Sequence, residues 1–141
     1  MNDETMRKTL LIWMGILQMA NGQSAIGKAN AEHYTWGQHC DGWYLVKNDE
    51  MTVIEERMPP GTGETLHVHA KSRQFFYVLS GTAGMEHGGI VTLLAAGTGI
   101  EIPPGVAHRI LNKSDKDLEL LVTSRPPSHG DRTEIDSPQR R

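Results

Sequence analysis

The chain has 141 residues, of which 22% are charged and 38% are hydrophobic, a balance that excludes a disordered chain and a protein that crosses a membrane several times. Its formal charge of −3 argues against a nucleic-acid partner, because domains that follow phosphates are usually basic. Fifteen glycines and seven prolines predict many turns, which favour short strands over long helices. We therefore expect one all-β domain.

The first 25 residues differ in composition from the rest of the chain. Arg7 and Lys8 precede an apolar run at 9–20, and small polar residues follow at 21–25. This order is typical of a secretory signal peptide, whereas the run is too short for a stable membrane span, which takes about 20 apolar residues. We interpret residues 1–25 as a signal peptide or another N-terminal extension. A signal peptide predicts export to the periplasm or the medium, and an ordinary helix predicts a cytoplasmic protein.

Short strand-like segments separated by turn residues fill residues 26–125, which we interpret as a barrel. Strands at this spacing, with Gly and Pro between them, favour a sandwich or a small barrel over a βαβ sheet. Residues 126–141 are polar and contain prolines, so we interpret them as a C-terminal tail. The predicted strands lie at 43–46, 52–58, 66–69, 75–79, 90–94, 99–102, 108–111 and 118–123.

The predicted strand at 75–79 is apolar on both faces. Alternate residues of a strand point to opposite sides, so Phe76 shares a face with Gln74 and Phe75 lies on the other face. One face would line the barrel interior. The other needs a cover, which is either the predicted strand at 43–46 or a second subunit, and this argument predicts a homodimer.

A His-x-His pair, His67 and His69, lies on the predicted strand at 66–69. Residues i and i+2 of a strand project to the same face, so both imidazoles can reach one metal ion. The alternative is a chance pair of surface histidines. Two later residues favour a metal site over a chance pair. Gln74 begins the next apolar strand, and His108 follows a Pro-Pro-Gly turn.

Glycines at fixed distances surround these polar residues and complete two motifs. The first motif is Gly, five residues, His-x-His, three or four residues, Glu, six residues and Gly. The second is Gly, five residues, Pro-x-Gly, two residues, His, three residues and Asn. With these motifs in order between residues 61 and 112, the chain resembles a small single-domain member of the cupin superfamily. The positions that carry the resemblance are Gly61, His67, His69, Gln74, Gly81, Gly97, Pro103, Gly105, His108 and Asn112.

The resemblance implies a jelly-roll barrel, also called a double-stranded β-helix, with a divalent metal ion inside. It implies that His67, His69, Gln74 and His108 bind the ion, for which Mn, Ni, Zn and Fe are the candidates. Gln74 departs from the pattern, because most cupins have a Glu there. An amide oxygen can still coordinate, but it brings no negative charge, so the ion would remain a stronger Lewis acid.

A neutral ligand set suits isomerisation, elimination or hydrolysis better than oxygen activation, where an anionic ligand helps to stabilise oxidised iron. The same ligands are similar to those of the small cupins that linearise unsaturated uronates released from pectin and alginate. The mannose-6-phosphate isomerase-like small cupins are a second group that the chain resembles.

Proton transfer needs an acid or a base in the same pocket. Glu64 lies three residues before His67, in the turn that leads into the ligand strand, and Glu56 lies on the more apolar face of its own strand, so these two are the candidate catalytic groups. The alternative for each is a solvated surface carboxylate. Phe76 and Met85 are candidates for lining the substrate pocket, and Arg73 is the candidate for reaching an anionic substrate from the rim.

We therefore expect a metal-dependent cupin that isomerises or ring-opens a sugar or uronate-like small molecule without redox chemistry. The first alternative is a cupin dioxygenase acting on a small organic substrate. The second is a non-catalytic sugar-binding cupin, because one barrel can carry many functions.

Overall fold

A computed structural model describes residues 24–136, in which the chain forms eleven strands and no helix. Most of the segment that we interpret as a signal peptide, residues 1–23, lies outside the described residues. In residues 24–136 no helix is long and apolar enough to span a membrane. The strands are β1 (Glu32–Trp36), β2 (Cys40–Lys47), β3 (Thr52–Met58), β4 (His67–Val68), β5 (Arg73–Ser80), β6 (Thr82–His87), β7 (Ile90–Ala95), β8 (Gly99–Ile102), β9 (His108–Leu111), β10 (Leu118–Arg125) and β11 (Thr133–Glu134).

The strands form two antiparallel sheets. One sheet has the order β1-β2-β3-β10-β5-β8, and the other has the order β11-β4-β9-β6-β7. Strands that are neighbours in a sheet are often far apart in the chain, as β3 and β10 are, which is the arrangement of a jelly roll. The all-β class and the double-stranded β-helix expected from the sequence are confirmed.

The core lies between the two sheets and is built by alternation along the strands. In β3 every second residue is buried, from Thr52 through Ile54 and Glu56 to Met58. Strand β10 alternates in the same way. Because this period places one face of each strand inward, an acidic residue at an inward position, such as Glu56, has to be accommodated inside the barrel.

All eight predicted strands are present. The structure also contains three strands, β1, β6 and β11, that the sequence pattern does not predict. Strand β6 contains Gly84 and polar residues that hide its alternation, although Ala83 and Met85 are buried. Strand β1 precedes the first predicted strand. Strand β11 belongs to the segment interpreted as a tail, and it pairs with β4.

The outer face of β5 remains open within residues 24–136. Phe75 is 44% exposed and Leu79 is 41% exposed. Strand β2 does not cover them, because it pairs with β3 in the same sheet, so the expectation that a strand at 43–46 covers this face is wrong. A second subunit as the cover stays a prediction.

Two motif glycines adopt a backbone that other residues rarely take. Gly81, between β5 and β6, has a φ of 85°, and a Cβ there would lie 2.6 Å from the Asp117 carbonyl oxygen. Gly105 has a φ of 80° and donates its N–H to the His69 carbonyl at 2.8 Å. Because only glycine adopts such angles without strain, Gly105 can tie the Pro-Pro-Gly turn to the end of the ligand strand.

Candidate metal centre

Three histidines meet inside the barrel. His67 on β4 lies opposite His108 on β9 in the antiparallel register, and His69 follows His67 by two residues on the same side. All three residues are buried, and each has a ring nitrogen within 4.8 Å of those of the other two. The structure therefore brings together the three imidazoles singled out in the sequence.

Each of these rings is oriented by a hydrogen bond from Nδ1. The Nδ1–H of His67 donates to the Thr65 carbonyl at 2.7 Å, and that of His108 donates to the Val106 carbonyl at 2.9 Å. The Nδ1–H of His69 donates to a carbonyl of the C-terminal segment. Since a carbonyl only accepts, these bonds place the proton on Nδ1 and leave the Nε2 lone pair for a metal ion.

Gln74, at the inward position of β5, completes the set. Its Oε1 atom lies 2.8 Å from Nε2 of His108, and its amide nitrogen donates to Ser124 Oγ at 3.0 Å. Three Nε2 lone pairs and an amide oxygen beside them suit a divalent transition metal. The residues present therefore fit the ion that the sequence motifs predict.

Burial keeps His67 and His108 in the neutral form, which binds metal. Burial lowers the pKa of His67 to about 4, although the Thr65 carbonyl opposes this change. Burial also lowers the pKa of His108. At neutral pH these two imidazoles are therefore uncharged, and a metal ion does not have to displace a proton from them.

Two carboxyl groups face the same cavity. Burial, together with the nearby charge of Glu64, raises the pKa of Glu56 to about 8, and a weak hydrogen bond from the Tyr34 hydroxyl at 3.3 Å opposes the rise. Burial also raises the pKa of Glu64, whereas the Ile110 N–H and the Arg132 guanidinium favour its ionised form. Near neutral pH, Glu56 is therefore protonated, and Glu64 has the contacts that favour a carboxylate.

The cavity has a volume of about 270 Å³, which is slightly below the usual range for small-molecule sites. His67, His69, Gln74, Glu56, Glu64 and Phe76 are among the residues that line it. An aromatic wall formed by Tyr34, Trp36 and Tyr44 lies along it as well. Three of the four predicted ligands and both carboxyl groups thus share one small chamber, and the fourth ligand, His108, lies behind the lining in contact with Gln74.

Two predicted substrate contacts do not lie at this cavity. Met85 is fully buried in the core. Arg73 alternates with Gln74 and so points outward, where it pairs with Glu101. Neither residue lines the cavity, so the structure gives neither of them a place at the site.

The structure adds residues that the sequence did not single out. Arg132 and His129, from the C-terminal segment, line the cavity, and the carbonyl that orients His69 belongs to Asp131. No periodic pattern marks this segment. The sequence does contain a sign of the aromatic wall, because Tyr34 and Trp36 are two residues apart and therefore share one face of β1.

The fold and the site together define a single-domain double-stranded β-helix protein with one candidate metal centre inside. The model of the family described as "Cupin domain" matches residues 54–124. The chain belongs to this family.

The chain is similar to a curated relative in sequence and to solved structures in fold. An uncharacterized protein of Methanocaldococcus jannaschii is 31% identical over 91 residues, which are 64% of this chain and 73% of that protein. A sugar phosphate isomerase of the cupin superfamily from Silicibacter pomeroyi has a TM-score of 0.64 and 16% identity over 72% of this chain and 75% of its own. The polyketide cyclase RemF from Streptomyces resistomycificus has a TM-score of 0.69 and 18% identity over 84% of this chain and 89% of its own. At these identities the two structures show a shared fold, which carries different small-molecule chemistries.

Proposed function

We propose that this cupin is a metal-dependent enzyme that isomerises or ring-opens a sugar or uronate-like molecule without redox chemistry. One observation carries the proposal. A single small cavity combines a neutral ligand set with a carboxyl group, Glu56, whose pKa of about 8 keeps it protonated near neutral pH. Such a cavity supplies an acid beside an electrophilic centre, which is what these reactions need.

The ligand set favours polarisation of a substrate oxygen. A divalent ion held by His67, His69, Gln74 and His108 would act as a Lewis acid towards a carbonyl or hydroxyl oxygen. Three imidazoles and one carboxamide bring no negative charge to the centre, so the charge of the ion is not compensated by its ligands. This property supports non-redox chemistry over oxygen activation.

The two carboxyl groups can divide the proton transfers between them. In the opening of a cyclic hemiacetal, the Glu64 carboxylate, the form that the Ile110 N–H and the Arg132 guanidinium favour, accepts the proton of the anomeric hydroxyl as the ring C–O bond breaks. Protonated Glu56 donates its proton to the ring oxygen that leaves. The substrate gains and loses one proton, no electron is transferred to an external acceptor, and a return of the proton from Glu64 to Glu56 restores the site.

The walls of the cavity suit a sugar acid. Tyr34, Trp36 and Tyr44 present aromatic surface to the apolar side of a ring. Arg132 is the only Lys or Arg side chain among the described residues that line the cavity, and a guanidinium pairs well with a carboxylate. The sugar phosphate isomerase that shares the fold adds fold-level support alone.

The proposal is tested by reconstitution and product analysis. The metal-free protein is loaded separately with Mn²⁺, Ni²⁺, Zn²⁺ and Fe²⁺, mixed with aldoses, uronates and unsaturated uronates, and followed by NMR and by an oxygen electrode. Conversion without oxygen consumption, lost in Glu56→Gln and kept in the exposed control Glu50→Gln, is the expected result. Oxygen uptake dependent on iron would favour a dioxygenase instead, and ligand binding without turnover would favour a sugar-binding protein.

We further propose that the open face of β5 is covered by a second copy of the chain. Phe75 and Leu79 are the exposed apolar residues that would be buried. Light scattering should give a dimer for the natural chain and a monomer for Phe75→Lys/Leu79→Lys, and a monomer in both would contradict the proposal.

The composition of residues 1–25 supports the proposal that the protein is exported. N-terminal sequencing of the mature chain from its host checks this, because export predicts a new N-terminus near residues 21–26. A mature chain that retains residue 6 would remove the argument.

A further inference from the structure

His69 differs from the other two histidines in what holds it. The carbonyls that orient His67 and His108 come from residues two positions earlier in the chain. The carbonyl that orients His69 belongs to Asp131, 62 residues later. The orientation of one candidate ligand therefore depends on the C-terminal segment, whereas that of the other two is local.

The side chain of Asp131 holds the backbone between two ligands. Its carboxylate accepts hydrogen bonds from three consecutive N–H groups, those of Ala70 at 3.0 Å, Lys71 at 2.9 Å and Ser72 at 2.8 Å. These residues form the loop that connects His69 to Gln74. Hydrogen bonds to a carboxylate are stronger than those between neutral groups, so the loop is fixed by one side chain from outside it.

Further contacts fasten the same segment to the ligand strand. Strand β11 pairs with β4, with Glu134 opposite His67. The Ile135 N–H donates to the Leu66 carbonyl at 2.9 Å, and Ser72 Oγ donates to the Pro126 carbonyl at 2.7 Å. Asp131 lies between these two attachments, where its main chain meets His69 and its side chain meets the following loop.

We propose that Asp131 is a positioning residue of the metal centre. It fixes the Nδ1–H tautomer of His69 and the conformation of the loop that brings Gln74 to the same ion. This inference rests on the proposed metal site and adds the residue that assembles it. Partners behind metal ligands typically change metal affinity by about 10- to 100-fold when they are lost. Without the carboxylate, the Ala70–Ser72 amides lose their acceptor, and the Asp131 carbonyl loses the anchor that holds it against His69.

The experiment compares Asp131→Ala with Asp41→Ala. The control is matched because the Asp41 carboxylate also accepts three hydrogen bonds, from His33 and twice from Arg57, and Asp41 does not line the cavity. Co²⁺ is titrated into each metal-free protein, and its visible absorption reports ligand number and geometry. The expected result is Co²⁺ binding about 10- to 100-fold weaker in Asp131→Ala, with an altered spectrum, and unchanged binding in Asp41→Ala.

A second readout separates positioning from general destabilisation. In ¹⁵N-histidine NMR of the metal-free protein, His67 and His108 should keep the Nδ1–H signature in Asp131→Ala, while His69 should become a mixture of tautomers. Asp131→Asn keeps one oxygen acceptor and should fall between the natural protein and Asp131→Ala, and it serves as the test variant if the alanine variant does not fold.

Each outcome has a distinct meaning. Equal Co²⁺ affinity and an unchanged His69 signature in the Asp131 variants would overturn the inference and leave the proposed function standing, because the natural protein would still bind the metal. Failure of the natural protein to bind Co²⁺ through its histidines would overturn the proposed function, and the inference with it. Normal Co²⁺ binding without substrate turnover would contradict the proposed function alone.

Discussion

The Oε1 atom of Gln74 lies 2.8 Å from the Nε2 atom of His108. Because His108 donates its Nδ1–H to a carbonyl, the neutral ring turns a lone pair towards the Gln74 oxygen, and two acceptors at this distance repel one another. A cation that contacts both atoms removes the repulsion. His108 Nε2 and Gln74 Oε1 would therefore both be available to a divalent transition metal, which binds imidazole nitrogen and amide oxygen atoms.

This spacing predicts the effect of restoring the residue that most cupins have at position 74. Gln74→Glu should tighten Zn²⁺ binding by about tenfold or more, because a carboxylate adds a charge–charge attraction inside a buried site. It should lower kcat, since the charge of the ion is then partly compensated. Competition with a chelator measures the affinity. Gln74→Ala is the control and should bind more weakly, and equal affinity in all three proteins would show that residue 74 is not a ligand.

Removal of two histidines should abolish metal binding. The double variant His67→Ala/His108→Ala leaves one imidazole and one amide, too few ligands to hold a transition metal against a chelator. We expect about one metal ion per chain in the natural protein and less than a tenth of that in the variant, by elemental analysis. His33→Ala is the control, because His33 pairs with Asp41 away from the cavity. Equal metal content in the natural protein and the double variant would contradict the ligand assignment.

The raised pKa of Glu56 predicts how the stability of the metal-free protein changes with pH. Between the ordinary pKa of 4.5 and the folded-state value of about 8, the folded protein holds a proton that the unfolded chain releases. The contribution of Glu56 is therefore complete below about pH 4.5 and is lost as pH rises towards 8, at about 1.4 kcal/mol per pH unit.

Glu56→Gln removes this contribution to the pH dependence without removing the polar group. Denaturant unfolding from pH 5 to 9 should show the variant gaining free energy of unfolding relative to the natural protein as pH rises, with the gain levelling off above about pH 8. The exposed Glu50→Gln gives the baseline. A difference between Glu56→Gln and the natural protein that does not change with pH would mean that Glu56 is ionised throughout.

Alanine substitutions at two glycines with nearly the same φ angle can distinguish the cost of a left-handed backbone from the cost of a steric clash. Gly97 has a φ of 82° and open space where a Cβ would stand, whereas a Cβ on Gly81, with a φ of 85°, would meet the Asp117 carbonyl oxygen at 2.6 Å. Gly97→Ala should cost about 1 kcal/mol for the left-handed backbone alone, and Gly81→Ala should cost about 2 to 3 kcal/mol. Chemical denaturation measures both, and equal losses would contradict the close approach at Gly81.

Strands in which apolar and polar residues alternate clearly can be predicted from the sequence, and strands without that alternation cannot. In the second half of β3, Ile54, Glu56 and Met58 alternate with the charged residues Glu55 and Arg57, so both the strand and the inward carboxylate can be predicted from the period of two. In β6, Gly84 and short side chains carry little apolar signal, and only the pairing with β7 and β9 makes the strand evident. Strand β11 is two residues long and exists because β4 offers it an edge.

The residues of the candidate site also fall into those that the sequence can predict and those that it cannot. His67 and His69 are predictable because their spacing alone places them on one face, and Gln74 and His108 follow from the motif distances. Asp131 and Arg132 are not predictable, because nothing local in a polar segment shows that it folds back over His69, which lies 62 residues before Asp131. Arg73 fails for the opposite reason: it is close to Gln74 in sequence, but alternation turns it to the outer face, where Glu101 pairs with it.

The different positions of Arg132, at the cavity, and Arg73, on the outer surface, allow a direct test for an anionic substrate. Arg132 lies 3.8 Å from Glu64 and 3.8 Å from Glu134, contacts too long to occupy its guanidinium fully, so a substrate carboxylate inside the cavity can pair with it. Arg132→Ala should raise KM for a uronate at least tenfold and change KM for the matching neutral sugar little. Arg73→Ala, which removes an equal charge from the outer surface, should leave both values unchanged. Steady-state kinetics of the two variants with the two substrates measures the difference, and an equal loss on the neutral sugar would mean that Arg132 supports the cavity wall without recognising an anion.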